Sequence, residues 1–443
     1  MNVKKYHSLK ESGVEWIEKI PTHWELRRIG QLFKFRNEKV SDEEYMPLSV
    51  TKDGVVPQLE NVAKTIHNEN RKKVLKGDIV INSRSDRRGS SGLSMLNGSC
   101  SLINHVLEPR VELEGKYIHY LFKSVPFCDE YYRWGTGIVD DLWSTQKDRM
   151  SQIQIPFPSI NEQKRIARFL DDKTNAIAKL KKILEEKINK LKDYRSSLIT
   201  QAVTKGLDPN VPMKDSGIEW LGEVPEHWIV QRIKNICSIN GRIGFRGYSS
   251  EDIVGEKEGA ITFSPSNIKD QCLSLDNLTY LSWEKYYESP EIQIKNNDII
   301  FCKTGSSIGK VALIDGLEDA ATINPQLVIF TDIKLITKYF YYSLVSNLIQ
   351  NQVRLFAGGG VMPTLTQETI SSFKIFVPPL KEQAAIIEFL DKLTNDVNEV
   401  IKKAESQIML LDEYRSSLIT AAVTGQIDVS DWKEAEEELE TIL

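Results

Sequence analysis

"LKDYRSSLIT" at residues 191–200 and "LDEYRSSLIT" at residues 411–420 are nearly the same ten residues, 220 positions apart. The likeness extends outward in both directions. "KESGVEWIEKIPTHWELRRI" (10–29) matches "KDSGIEWLGEVPEHWIVQRI" (214–233) at an offset of 204. "GDIVINS" (77–83) matches "NDIIFCK" (297–303), Asn104 of "LINHVL" stands opposite Asn324 of "TINPQL", and "PSINEQKRIARFLDD" (158–172) matches "PPLKEQAAIIEFLDK" (378–392), all at 220. The change of offset puts about 16 extra residues into the second copy, between 234 and 297. A repeat this long is one folding unit made twice. Each copy reads as a globular part followed by a helical part.

The helical parts carry the clearest periodicity. Leu170, Ile177, Leu184, Leu191 and Leu198 are spaced by seven, as are Leu390, Val397, Ala404, Leu411 and Leu418. Sevenfold apolar spacing over four heptads is the pattern of a coiled-coil seam. Leu180, Ile188 and Tyr194 widen the first stripe, and Val400, Ile408 and Tyr414 the second. "SINE" opens the first helix as a capping box of Ser159 and Glu162, and Gly206 and Gly425 are placed to end the two helices. Two packings satisfy the stripes: each helix on its own domain, or the two together. Matched length and register favour pairing, and twofold-related copies run the helices antiparallel. The resulting division is a first globular part (1–155), a first helical region (156–205), a second globular part (206–376), a second helical region (377–425) and an acidic tail (426–443). The fold class is mixed α/β. Short β-rich runs such as "GDIVINS" and "FKIFVPP" accompany one aromatic helix per copy, "KYIHYLFKSV" and "KYFYYSLVSN", whose rings read as core, with a base-stacking platform as the alternative.

The 443 residues are 41% apolar and 27% charged, ordinary for a globular protein. No apolar run reaches the length of a membrane span, and no secretory pattern follows the first lysines. Five cysteines without CxxC spacing read as reduced thiols in a cytoplasmic protein, with no structural metal. The net charge of −5 conceals an asymmetry: +9 over 1–205 and −14 over 206–443. Any DNA contact must therefore come from local patches.

Catalytic constellations are missing. "GSSIGKV" (305–311) has three residues between its glycines where a phosphate loop has four, and Val311 where the hydroxyl belongs. "INPQ" (323–326) lacks the second proline and aromatic of an adenine methyltransferase motif. The histidines stand singly, and Glu185 and Glu186 sit among lysines on a helix, where ion pairs explain them.

What remains is a pair of loops. In each copy a β-run leads into a polar, glycine- and serine-rich stretch: Ser83, Arg84, Arg87, Arg88, Gly89, Ser90 and Ser91 in one, Lys303, Thr304, Gly305, Ser306, Ser307, Gly309 and Lys310 in the other. Small residues admit a phosphate close to backbone, and arginine can grip guanine with two hydrogen bonds. A solvated turn is the plain alternative. Arg71, Lys72, Lys73 and Lys76, and Arg242 and Arg246 of the insertion, are further candidate DNA contacts, with the same alternative. "WGTGIV" and "FAGGGVM" precede the last β-run of each copy and serve either as backbone contacts or as hinges.

Together, "P-x-x-x-EQ" before each long helix, "EYRSSLITAAVTGQI" at its end, "SGIEWLGEVPEHW" and "NDIIFCKTGSSIGKVAL" resemble the specificity subunit of type I restriction–modification enzymes, over almost the whole chain. The resemblance implies two target recognition domains, each reading half of a bipartite sequence in double-stranded DNA. It implies an antiparallel coiled coil that fixes the gap and docks two methyltransferase subunits, which modify adenine N6 with S-adenosylmethionine. Motor–nuclease subunits using ATP and Mg2+ would complete the complex, and this chain itself would hold no cofactor. The second globular part departs from an evenly basic reader, with 15 basic and 20 acidic residues over 206–376. Two rivals stay open: an adaptor with two protein-binding heads, which predicts no salt-dependent binding to duplex DNA, and a standalone nuclease, which predicts magnesium-dependent cleavage by the chain alone.

Overall fold

The computed structural model describes residues 4–58, 69–84, 87–137, 143–218, 221–242, 244–357 and 363–432. Contacts divide the chain into two compact units, 1–185 with 405–443, and 186–404. Each unit therefore holds one globular part together with a length of both long helices, Ile160–Lys205 and Leu380–Val423.

In the first unit the helices run antiparallel. Lys181 Nζ donates to the Asp412 carboxylate at 2.7 Å, while Ile166, Ala167 and Leu170 share a core with Leu418, Ile419, Ala422 and Val423. The second unit repeats the arrangement: Arg195 donates to Asn398 Oδ1, and Ile199, Ala202 and Val203 pack with Ile386 and Leu390. The sevenfold stripe is the buried one. Leu170, Ile177, Leu390, Val397, Ala404 and Leu418 are buried, and Leu184, Leu191, Leu198 and Leu411 are half-buried. Of the widening positions, Ile188 is buried and Ile408 half-buried, whereas Leu180, Tyr194, Val400 and Tyr414 are exposed and Ile401 is buried beside the stripe. Gly206 and Gly425 follow the helix ends at φ +76°, the left-handed turn glycine adopts without strain.

Each globular part is built around a four-stranded antiparallel sheet with helices against it, and the first part adds a three-stranded sheet of Gly98–Cys100, Arg71–Val74 and Lys39–Val40. In the first unit the order is Ser91–Leu93, Ile79–Asn82, Asn104–Pro109, Phe33–Arg36. In the second it is Ser238–Asn240, Leu327–Thr331, Ile299–Cys302, Val311–Leu313. The extra residues of the second copy contribute to another sheet, in which Ala260–Phe263 pairs parallel with Ala321–Ile323. The aromatic helices Gly115–Lys123 and Thr337–Val345 bury Tyr117, Tyr120 and Phe122, and Tyr339, Phe340 and Tyr342.

The "HW" and "EQ" motifs meet to fasten globule to helix. Trp24 Nε1 donates to Glu162 at 2.9 Å, and the His23 ring nitrogen lies 3.1 Å from the same carboxylate. Trp228 and His227 make the same pair of contacts with Glu382, at 2.9 and 2.7 Å. Gln163 donates to Pro158 O at 2.8 Å and accepts from Glu114 N at 3.0 Å; Gln383 repeats this with Pro378 O and Ile336 N. Tyr120 and Tyr342 donate to Asp171 and Asp391. These bonds answer buried polar groups that would otherwise each cost about 1–3 kcal/mol. They also correct the capping box: Ser159 Oγ accepts from Glu162 N at 3.4 Å, but the Glu162 carboxylate is occupied by Trp24 and Tyr6.

Residues 426–432 are not a free tail. Ile427 and Val429 are buried in the first unit's core, and Asp428 N donates to Lys4 O at 2.9 Å. The acidic stretch beyond Trp432 lies outside the described residues.

Candidate nucleic-acid interface

Both loops grow from the same strand of the duplicated sheet and are pinned by the same backbone frame. In the first unit, Thr145 N donates to Ser83 O at 2.9 Å, and Arg84 pairs with Ser144 as an isolated antiparallel bridge. In the second, Leu365 N donates to Lys303 O at 2.8 Å, and Thr304 pairs with Thr364. All four positions correspond at the offset of 220. The holding segments, 143–145 and 363–365, were not singled out from sequence, because "WST" and "PTL" share no residue position by position. The glycine-rich stretches before them lie partly outside the described residues.

On this common frame the side chains differ. Arg84, Arg87 and Arg88 are exposed in the first unit. Arg88 pairs with Asp129 and lies 4.7 Å over the Tyr132 ring, which stacks on Trp143. Ser90 and Ser91 point inward and are buried. In the second unit Gly305 and Gly309 take φ +88° and +87°. At that φ a side chain on Gly309 would be strained, and its Cβ would also displace Gln350 Oε1, 2.6 Å away. Ser306 is exposed, and Lys303, Thr304, Ser307 and Lys310 are half-buried around it.

The other candidate contacts are largely committed to the fold. Arg71 is 5% exposed, with Nε on Ser99 Oγ at 2.8 Å, so it is corrected to a structural arginine. It lies in strand Arg71–Val74, where its side chain and that of Val74 are buried. Lys72 donates to Asn104 O at 2.7 Å, and burial holds its pKa below the usual lysine range. Lys73 pairs with Glu38 at 2.9 Å and lies over Tyr45. Arg242 is likewise corrected: it is 5% exposed and donates to Ile323 O and Thr322 Oγ1, both at 3.2 Å. Arg246 pairs with Glu291 at 3.3 Å. A residue missed from sequence is Lys147, exposed at the start of helix Lys147–Gln152, two positions beyond the bond that holds the first loop.

No group of three or more His, Cys, Asp or Glu side chains among the described residues is arranged to hold a metal. No helix among them is long and apolar enough to cross a membrane.

Two unlike loops on one repeated frame, each in a domain bonded to a long helix, define a duplicated recognition protein. The match to known families is specific: the chain belongs to the type I restriction modification DNA specificity domain family, which it matches over residues 21–190 and again over 225–409. It is 25% identical to the type I restriction enzyme MjaVIII specificity subunit of Methanocaldococcus jannaschii, over 97% of each chain. It is 22% identical to the EcoKI specificity subunit of Escherichia coli, over 82% of this chain and 77% of that one. A chain solved in a study of assembly and conformational transition of the type I R-M system shares the fold, with a TM-score of 0.67 at 14% identity, covering 92% and 99% of the two chains. The protein has the character of a DNA specificity subunit.

Proposed function

We propose that this chain reads a bipartite, asymmetric DNA sequence, one half with each globular part, as the non-catalytic specificity subunit of a cytoplasmic restriction–modification complex. The observation that carries this reading is the shared frame with unlike contents: Arg84 and Thr304 are bridged in the same way, yet one loop offers exposed arginines and the other serines and a pair of lysines. A repeat that keeps its scaffold and varies its loop suits two readings of one polymer. The paired helices set the gap between half-sites. Half-sites about one DNA turn apart, roughly 34–36 Å centre to centre, would present both major grooves on one side.

The helices also dock two methyltransferase subunits. Exposed apolar side chains support a docking role: Leu180, Ile183, Met409 and Leu410 on the first unit's helical segments, Phe389 and Val400 on the second's. Adenine flipping and methyl transfer from S-adenosylmethionine belong to those partners, and ATP-driven cleavage with Mg2+ to motor–nuclease subunits.

Methylome sequencing of a host carrying this chain and its methyltransferase tests the reading at single-residue level. Arg84→Ala is expected to relax or weaken one half of the methylated motif, with about 1–3 kcal/mol of lost discrimination at the affected base pair if the guanidinium makes a base contact. Equal damage to both halves, or none, would count against the assignment.

A further inference from the structure

The first unit gathers cations where strand Phe33–Arg36 meets helix Lys147–Gln152. A surface groove there is lined by Arg28, Lys34, Arg110 and Lys147, and Asp148 is its only acidic side chain. All four cations are exposed. Lys147 lies 5.4 Å over the Phe35 ring, and Lys34 reaches Glu108 only at 4.0 Å. Arg28, Arg110 and Lys147 make no ion pair among the described residues. Four cations against the single carboxylate of Asp148, with Glu108 at the edge of reach, leave the groove with an excess of positive charge, and a polyanion laid in it relieves the repulsion among them.

The second unit lacks this cluster. Lys334 N donates to Ile236 O as Arg110 N donates to Leu32 O, which makes Lys334 the counterpart of Arg110. By the repeat offsets, Arg232 answers Arg28, but Ser238 stands for Lys34 and Gln367 for Lys147. Lys334 also spends its ammonium on Asn235 O at 3.1 Å. Moreover, Lys147 follows closely on Thr145, whose N–H holds Ser83 beside the exposed Arg84, so the groove adjoins the edge that carries the first loop.

We propose that this groove is a phosphate-backbone clamp that only the first recognition domain possesses, so that the larger share of the salt-sensitive DNA affinity arises on one half of the target. The proposal rests on the DNA reading above and adds to it a lopsided division of labour. Each phosphate contact contributes about 0.9 to the slope of log K against log salt.

The test uses the full-length chain and a mixed-sequence duplex longer than both half-sites, titrated over a range of KCl. Lys34→Ala/Arg110→Ala/Lys147→Ala is expected to flatten the slope by about 2–3, and Arg232→Ala/Lys334→Ala by less than about 1. Lys34→Arg/Lys147→Arg keeps the wild-type slope. Should the triple variant fail to fold, Lys147→Ala alone decides, with an expected change of about 0.9. A steep wild-type slope that the triple variant leaves intact overturns the clamp while sparing the DNA reading, whereas a wild-type chain that binds no duplex overturns both. Equal flattening by the second-unit pair overturns the lopsidedness. Unaltered DNA binding with lost methyltransferase association would make the groove a protein-docking surface and would also overturn the clamp.

Discussion

Glu162 and Glu382 each accept a hydrogen bond from a fully buried tryptophan, Trp24 and Trp228. That pairing gives the "P-x-x-x-EQ" and "HW" motifs a physical reason, since an indole N–H taken from water needs an acceptor. Glu162→Ala should cost about 1–3 kcal/mol in denaturant unfolding, and the same change at solvent-exposed Glu185 close to nothing. Similar losses at both positions would discard the anchor role. His119 supplies a pH dependence. Its Nδ1 accepts from Leu93 N at 3.3 Å, which requires an unprotonated nitrogen. Burial, aided by Lys123, lowers its pKa to about 4. The unfolded imidazole titrates near 6.5, so between those values the unfolded chain binds the extra proton. Stability therefore falls as pH drops from about 6.5 to about 4, by at most about 3 kcal/mol from this residue. His119→Gln should flatten that limb in urea titrations across the interval; an identical acid limb would assign the effect elsewhere.

At the scale of elements, the long helices were the most legible feature, because a heptad stripe records burial directly. The structure buries or half-buries every sevenfold position and exposes Leu180 and Tyr194 of the wider stripe. The loops were legible as positions, since Arg84 and Thr304 follow matched strands, but what holds them was not. Ser144 and Thr364 act through backbone, which leaves no mark on side-chain identity. The basic run at Arg71 misled for a related reason: a strand sends alternate side chains to opposite faces, and only the neighbouring strand with Ser99 reveals which face takes the guanidinium. Lys34, Arg110 and Lys147 are far apart in sequence, so their groove had no linear signature at all.

At the scale of the whole molecule, the duplication yields two domains with one fold and different charge. The +9 of residues 1–205 and the −14 of residues 206–443 are a property of the chain, and the cation groove of the first unit gives that imbalance a place. The antiparallel pairing within each unit, Lys181 with Asp412 in the first and Arg195 with Asn398 in the second, allows both helices to be shortened in step. Removing one heptad from each at matched positions takes away about 10 Å of helix, close to three base pairs of duplex. The decisive measurement is the methylome of a host carrying the wild-type chain against that of one carrying the shortened chain, each with its methyltransferase. The account predicts the same two half-sites in both, separated by about three fewer base pairs in the second. An unchanged gap, or altered half-site sequences, would contradict it.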